Sequence, residues 1–200
     1  MSCSIKMSFF LTEGWCSKDE LIELRAALLK HTITKDRMIA HPKDRYIHSL
    51  TASDIPCVQK IAERALEYVR EKTGEKDLCF NDTRGAVSLI TAASQCVDQS
   101  WHRDTKFKTY AVCIPFVDVG AENGCTEIQM KSTRTPASNW RRHLKNRRSV
   151  LCRAGDVYVF DARLLHRGIA NRTDTNRPML CISIICARYK PFIWAHTNQE

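Results

Sequence analysis

The chain has 200 residues, of which 44% are hydrophobic. That is enough for one domain with a substantial apolar core, and it excludes a disordered or low-complexity chain. No apolar run approaches the roughly 20 residues that a membrane-crossing helix needs. No stretch near the start reads as the apolar segment of a signal peptide, so a soluble, cytoplasmic protein is expected. The formal charge of +9 is uneven: Lys131 to Arg148 holds seven Lys or Arg, one His and no acid.

In chain order, Met7 to Trp15 reads as an entry strand. Ser17-Lys-Asp-Glu20 is a capping box, and Leu21, Leu24, Leu28 and Leu29 give the stripe of a first helix. His31 to Ser53 is polar and reads as irregular, part of a substrate rim. A second helix is expected over Ile55 to Lys72, with Val58, Ile61, Ala62, Leu66 and Val69 on one face, stopped by Thr73-Gly-Glu. From Leu78 the texture becomes short β-like runs: 86–92, 108–119, 126–131, 149–152, 156–160 and 179–187. Short strands with polar turns, following two helices, predict a mainly β protein. Its core is expected to be an antiparallel jelly roll (a double-stranded, cupin-like β-helix) over about 78–190, braced by helices over about 16–75. One domain is expected over 1–200.

Ten cysteines are many for this length. No Cys-x-x-Cys occurs, and several sit inside apolar strand patterns, so buried thiols in a reducing compartment are expected rather than a disulfide framework or a zinc site.

The chemistry concentrates in Gln99-Ser-Trp-His-Arg-Asp104 and in the stretch from His166 to Arg177. His102 and Asp104 are two apart, so on extended backbone both side chains leave the same face. His166 follows after further strands, and Arg177 comes eleven residues later. Two imidazoles and one carboxylate form the facial triad that holds Fe(II) and leaves positions open.

This ordered set resembles the phytanoyl-CoA dioxygenase-like family of Fe(II)/2-oxoglutarate-dependent dioxygenases. Gln99-Ser-Trp-His-Arg-Asp resembles the family's Gln-x-Trp-His-x-Asp, and Glu122-Asn-Gly its turn between two strands. Gly155-Asp resembles the start of the strand leading to the distal histidine. His166 to Arg177, with Asn171 and Thr173 between, resembles the family's closing motif.

The resemblance implies an iron enzyme that consumes O2 and 2-oxoglutarate and hydroxylates a substrate, releasing succinate and CO2. His102, Asp104 and His166 would be the metal ligands. Arg177 would pair with the far carboxylate of 2-oxoglutarate, as its guanidinium fork suits. Cys113 corresponds to a position that borders the co-substrate in relatives, and Thr91 is a further candidate contact. Gln99 and Thr109 are candidates for the substrate pocket, as are Arg141 and Arg142 in the basic stretch, which reads either as a solvated loop or as a mobile flap over an anionic substrate. Trp101 is expected to point away from the ligands into the core. Many relatives carry serine two residues after the distal histidine; here Gly168 stands there, so another donor must substitute or binding is weaker. Halogenating relatives lack the carboxylate, so Asp104 favours oxygen insertion.

The substrate is expected to be a small molecule or acyl compound, and an anionic one given the basic stretch. Two alternatives stay open. One is a nucleic-acid or protein demethylase, although the second arginine of the AlkB type is replaced by Ser183. The other is a non-catalytic jelly-roll binding module.

Overall fold

The computed structural model describes residues 8–34, 38–41, 45–80, 86–133 and 146–190. Helix α1 (Lys18–Thr34) starts on the predicted capping box. The Ser17 N–H donates to Glu20 Oε2 at 2.9 Å and the Glu20 N–H to Ser17 Oγ at 3.2 Å, satisfying two amides that a helix start leaves open. Helix α2 (Pro56–Thr73) opens on Pro56, where a missing N–H is harmless. It closes on Gly74 at φ 69°, whose N–H returns to Arg70 O at 2.8 Å. Cys57, Val58, Ile61, Ala62, Ala65, Tyr68 and Val69 recur at helical steps and are buried. Leu21, Leu24 and Leu28 do the same for α1, whereas Leu29 is 63% exposed and lies off the stripe. Each fully buried leucine or valine contributes about 1.5–3 kcal/mol.

The strands are β1 (Phe9–Thr12), β2 (Met38–His41), β3 (Arg45–Leu50), β4 (Leu78–Phe80), β5 (Val87–Ala92), β6 (Thr109–Pro115), β7 (Thr126–Gln129), β8 (Arg147–Val150), β9 (Val157–Asp161), β10 (His166–Gly168) and β11 (Arg177–Cys186). They form two antiparallel sheets. The larger runs β1-β9-β6-β11-β5-β3-β2, with β4 also paired to β11, and the smaller runs β10-β7-β8. This is the jelly roll. The large sheet is covered on both sides, so its central strands read as continuous apolar runs rather than alternating ones. Along β6, β9 and β11, Val112, Ile114, Val157, Val159, Leu180 and Ile182 pack with the helices. Their neighbours Cys113, Tyr158, Phe160 and Met179 pack inward with Ile128 and Val150 of the small sheet. Among the described residues no helix is long and apolar enough to cross a membrane.

Three expectations need correcting. The stretch 31–53 is not irregular: β2 and β3 extend the large sheet, with Arg45 opposite Ala92 and Leu50 opposite Val87. The basic stretch is not a flap throughout. Arg147 and Arg148 open β8, and Arg148 lies over the Phe9 ring at 4.5 Å; 134–145 lie outside the described residues. Trp101 does not enter the core. It is half-buried, with the Arg167 guanidinium 5.1 Å from its ring centre.

The Gly-Asp turn before β9 clamps the N-terminal segment. Asp156 accepts from the Gly14 N–H at 2.8 Å and the Arg153 N–H at 2.6 Å, while Gly155 O accepts from the Cys16 N–H at 2.8 Å. A Cβ on Gly155, at φ +87°, would stand 2.8 Å from Cys16 O. Gly14, at φ +59°, has nothing within 4 Å of such a Cβ. Gly14→Ala should therefore cost only the left-handed backbone penalty, about 1–2 kcal/mol. Gly155→Ala should add about 1–3 kcal/mol of overlap. Thermal melts of the two variants check this: equal drops in Tm would refute the clamp.

Candidate metal centre

Residues 98–104 lie outside the regular strands but are sewn to β10 by backbone. The His102 N–H donates to His166 O at 3.0 Å and the His166 N–H to His102 O at 2.9 Å. These two histidines are thus direct antiparallel partners, and such partners project their side chains to one face at close range. Their ring centres are 4.5 Å apart. The Asp104 N–H reaches Ala162 O at 3.2 Å, which brings its carboxylate to the same place. Asp104 Oδ1 stands 3.3 Å from His166 Nε2 and 3.6 Å from His102 Nε2. One ligand atom from each of the three lies within 4.8 Å of the others.

The tautomers are fixed by neighbours. His102 Nδ1 lies 2.8 Å from Ser100 O and His166 Nδ1 2.9 Å from Leu164 O. A carbonyl can only accept, so each Nδ1 carries a proton and each Nε2 is the nitrogen turned to the centre, available to a metal once it is deprotonated. Partial burial alone would raise the Asp104 pKa, but the hydrogen bond from His166 and the charges of both imidazoles outweigh it and hold the carboxylate below its usual range. Burial opposes the charged form of His166, yet Asp104 and the Leu164 carbonyl win and raise its pKa. Cis ligands of an octahedral ion with bonds of about 2.1 Å stand roughly 3 Å apart. The observed spacings, the ionised carboxylate and the two imidazole Nε2 atoms turned toward it fit a divalent metal with a two-His, one-carboxylate donor set.

The centre has a wet mouth and a dry floor. His102 and Asp104 side chains are 37% and 48% exposed, whereas His166 is buried and its ring packs edge-on to Phe160 at 4.8 Å. The inner face of the large sheet forms the floor. Arg177, at the start of β11, is 2% exposed. Its Nη2 donates to Gly124 O at 2.8 Å, while Nε and Nη1 are buried without a protein acceptor. The Glu122-Asn-Gly turn thus presents a carbonyl to Arg177; Gly124 sits at φ +90°, where a Cβ would crowd Ile169 O at 3.1 Å. Asn171, fully buried, shapes the loop before Arg177: its Nδ2 donates to Ala92 O and Thr175 O, and its Oδ1 accepts from Thr173.

The other predicted residues separate by face. Cys113 lies on the inner face with its Sγ 3.4 Å from Cys181 Sγ, close enough for Asp104 to act on it electrostatically. Thr109 shares that strand face and has a buried hydroxyl without an acceptor or donor. Gln99 clamps backbone rather than facing open space: its Oε1 accepts from the Gly168 N–H at 2.8 Å and its own N–H meets Gly168 O at 2.9 Å. Thr91 is misassigned. It pairs with Pro178 and Tyr46 and lines a groove with Leu28 and Phe116 on the helical side, across the sheet from the metal centre. Arg141 and Arg142 lie outside the described residues.

Two residues were not foreseen. Ser132 bridges the site's frame, with its hydroxyl donating to Gln129 O at 2.6 Å and accepting the Leu165 N–H at 2.7 Å. Arg45, 4% exposed, sits on the inner face beside the Arg177 position. In the sequence it is an arginine in a polar stretch without a motif. The only available signal was alternation, Tyr46, His48 and Leu50 against Arg45, Ile47 and Ser49.

A family model described as phytanoyl-CoA dioxygenase (PhyH) matches residues 16–179, a span that includes both helices, His102, Asp104, His166 and Arg177. A search of curated proteins found no match. Among solved structures, the carbocyclase SnoK from nogalamycin biosynthesis superposes with a TM-score of 0.77 at 16% identity, over 90% of this chain and 80% of that one. HygX from Streptomyces hygroscopicus, with nickel and 2-oxoglutarate bound, gives 0.71 at 13% identity, over 90% and 83%. EctD from S. alaskensis, with 2-oxoglutarate and 5-hydroxyectoine, gives 0.74 at 15%, over 90% and 73%. These likenesses show a shared fold. The family match covers most of the chain, and the chain belongs to the phytanoyl-CoA dioxygenase family of Fe(II)- and 2-oxoglutarate-dependent oxygenases.

Proposed function

We propose that the enzyme hydroxylates a small-molecule or acyl substrate, with His102, Asp104 and His166 holding Fe(II) and Arg177 pairing with the far carboxylate of 2-oxoglutarate. What carries the reading is the convergence of three ligand atoms beside a buried arginine whose Nε and Nη1 have no protein acceptor. Iron in this site would supply oxygen activation coupled to decarboxylation of 2-oxoglutarate to succinate. The chain's own residues bind and exclude. Arg177 offers two N–H groups in a dry pocket, where a charge-assisted pair is strongest. Phe160 and Leu164 keep water from the His166 side. The exposed edges of His102 and Asp104 leave the mouth for the substrate. HygX and EctD are structures with small molecules bound, which supports a small-molecule substrate here. The anionic character rests on the net charge of +9.

His102→Ala and Asp104→Ala should each abolish iron-dependent conversion of 2-oxoglutarate to succinate and strip metal from the purified protein. Stoichiometric iron in the double variant would overturn the ligand assignment. Arg177→Ala removes a charge-assisted contact of about 1.5–3 kcal/mol, so the 2-oxoglutarate constant should rise by about 10- to 150-fold with iron binding retained. An unchanged constant would transfer the role to another base. Mass spectrometry of the substrate after turnover should show one added oxygen atom, and an isomer of unchanged mass would sink hydroxylation. For an anionic substrate, KM should climb as salt goes from about 0.1 M to 1 M, where the screening length falls from about 10 Å to 3 Å.

A further inference from the structure

Arg45 on β3 and Arg177 on β11 both pair with Ala92 of β5, one from each side. Direct cross-strand partners share a face, so the two side chains leave the sheet in one row, with backbones roughly 10 Å apart. Both are almost fully buried, at 4% and 2% exposed. Arg45 Nη2 donates to Ile169 O at 2.5 Å and lies 3.5 Å from Val97 O, but its Nε is buried without a partner, as is Arg177 Nε. Among the described residues no carboxylate forms an ion pair with either. Asp98, within electrostatic reach of Arg45, is already held by Arg167 at 2.9 Å and by the Ala170 N–H at 2.7 Å. Two buried cations side by side without an acid are costly unless an anion joins them.

Gly168 stands directly against Arg45. It stands two residues after His166, and a Cβ built there would meet Arg45 Nη1 at 2.8 Å, Arg45 Cζ at 2.9 Å and Gln99 Oε1 at 2.9 Å. The guanidinium therefore fills the space that a side chain at 168 would take. A side chain at 168 would have to displace these side-chain ends; no backbone angle demands glycine there.

We propose that Arg45 is a second donor to the far carboxylate of 2-oxoglutarate, its fork replacing a side chain at position 168, so that Arg45 and Arg177 together form a two-arginine carboxylate site. This rests on the co-substrate reading of Arg177. It implies sharp discrimination in favour of 2-oxo acids with a second carboxylate over monocarboxylic 2-oxo acids of similar length.

The test is calorimetric binding of 2-oxoglutarate to nickel-loaded protein, with metal content measured alongside. Arg45→Met, which keeps apolar bulk without the fork, should weaken binding by about 10- to 100-fold and narrow the preference over 2-oxopentanoate, with nickel retained. Gly168→Ser alone should also weaken binding, because it displaces the guanidinium. Adding Gly168→Ser to Arg45→Met should restore part of the loss, since the hydroxyl enters vacated space. A purely structural Arg45 predicts no such rescue. If Arg45→Met binds like the parent while Arg177→Ala does not, the proposal falls and the co-substrate reading stands. If neither variant changes binding, that reading falls as well. If Arg45→Met does not fold, the Gly168→Ser arm decides: unaltered affinity there overturns the proposal.

Discussion

The candidate metal centre depends on one pair of backbone hydrogen bonds, those between His102 and His166. Each contributes only about 1 kcal/mol net, but together they set which side chains can meet. They join a segment without regular structure to the edge strand of the small sheet, and antiparallel pairing then puts both imidazoles on one face. The same alternation sends Trp101 and Arg167 to the other face, where Arg167 covers the indole and holds Glu127 and Asp98. Arg103 ties the segment to Arg163 O at 2.8 Å and Ser132 O at 2.7 Å. The outer face is thus a polar clasp whose effect is to hold the inner face still.

Most of this was legible in the sequence because iron chemistry constrains residue types tightly. His-x-Asp on extended backbone, with a distal histidine, points to one donor set, and the capping box and the apolar stripe of α2 point to their elements directly. What sequence reasoning missed shares one cause: alternation gives two faces but not which is inner. Thr91 was placed on the pocket side, although Ile90, one residue earlier, packs inward. Strand β3 was missed because its inward residues are Arg45, Ile47 and Ser49, so the usual equation of polar with outward fails where a strand faces a site. Trp101 was placed in the core because it faces away from His102, yet the side opposite the ligands is not the core there and Arg167 supplies its cover.

Two glycine turns translate the motifs into positions. Gly124 brings a carbonyl to Arg177, and Gly155 lets β9 start against the backbone of Cys16. Each sits at positive φ with backbone close by. The Glu-Asn-Gly and Gly-Asp motifs are therefore conditions on backbone, and the side chains that act come from elsewhere.

The charge of the floor follows from its cysteines. Hydrogen bonding with Cys181 and burial push the Cys113 thiol well above its ordinary pKa. Burial pushes Cys152 up to about 12 and raises Cys125 as well. Tyr158, linked to Thr126 at 3.0 Å, is raised by burial too. At neutral pH all four are therefore uncharged, and none can act as a counter-ion for an arginine. Burial and Arg177 lower the Arg45 pKa, but a guanidinium starts so high that it keeps its proton. The protein lines the pocket with neutral, polarisable groups and, among the described residues, gives Arg45 and Arg177 carbonyl partners but no carboxylate. A carboxylate lining would have made a self-satisfied salt bridge and a more stable apoprotein. Thiols at those positions keep the floor positive and dry, which is the condition under which a dicarboxylate binds strongly.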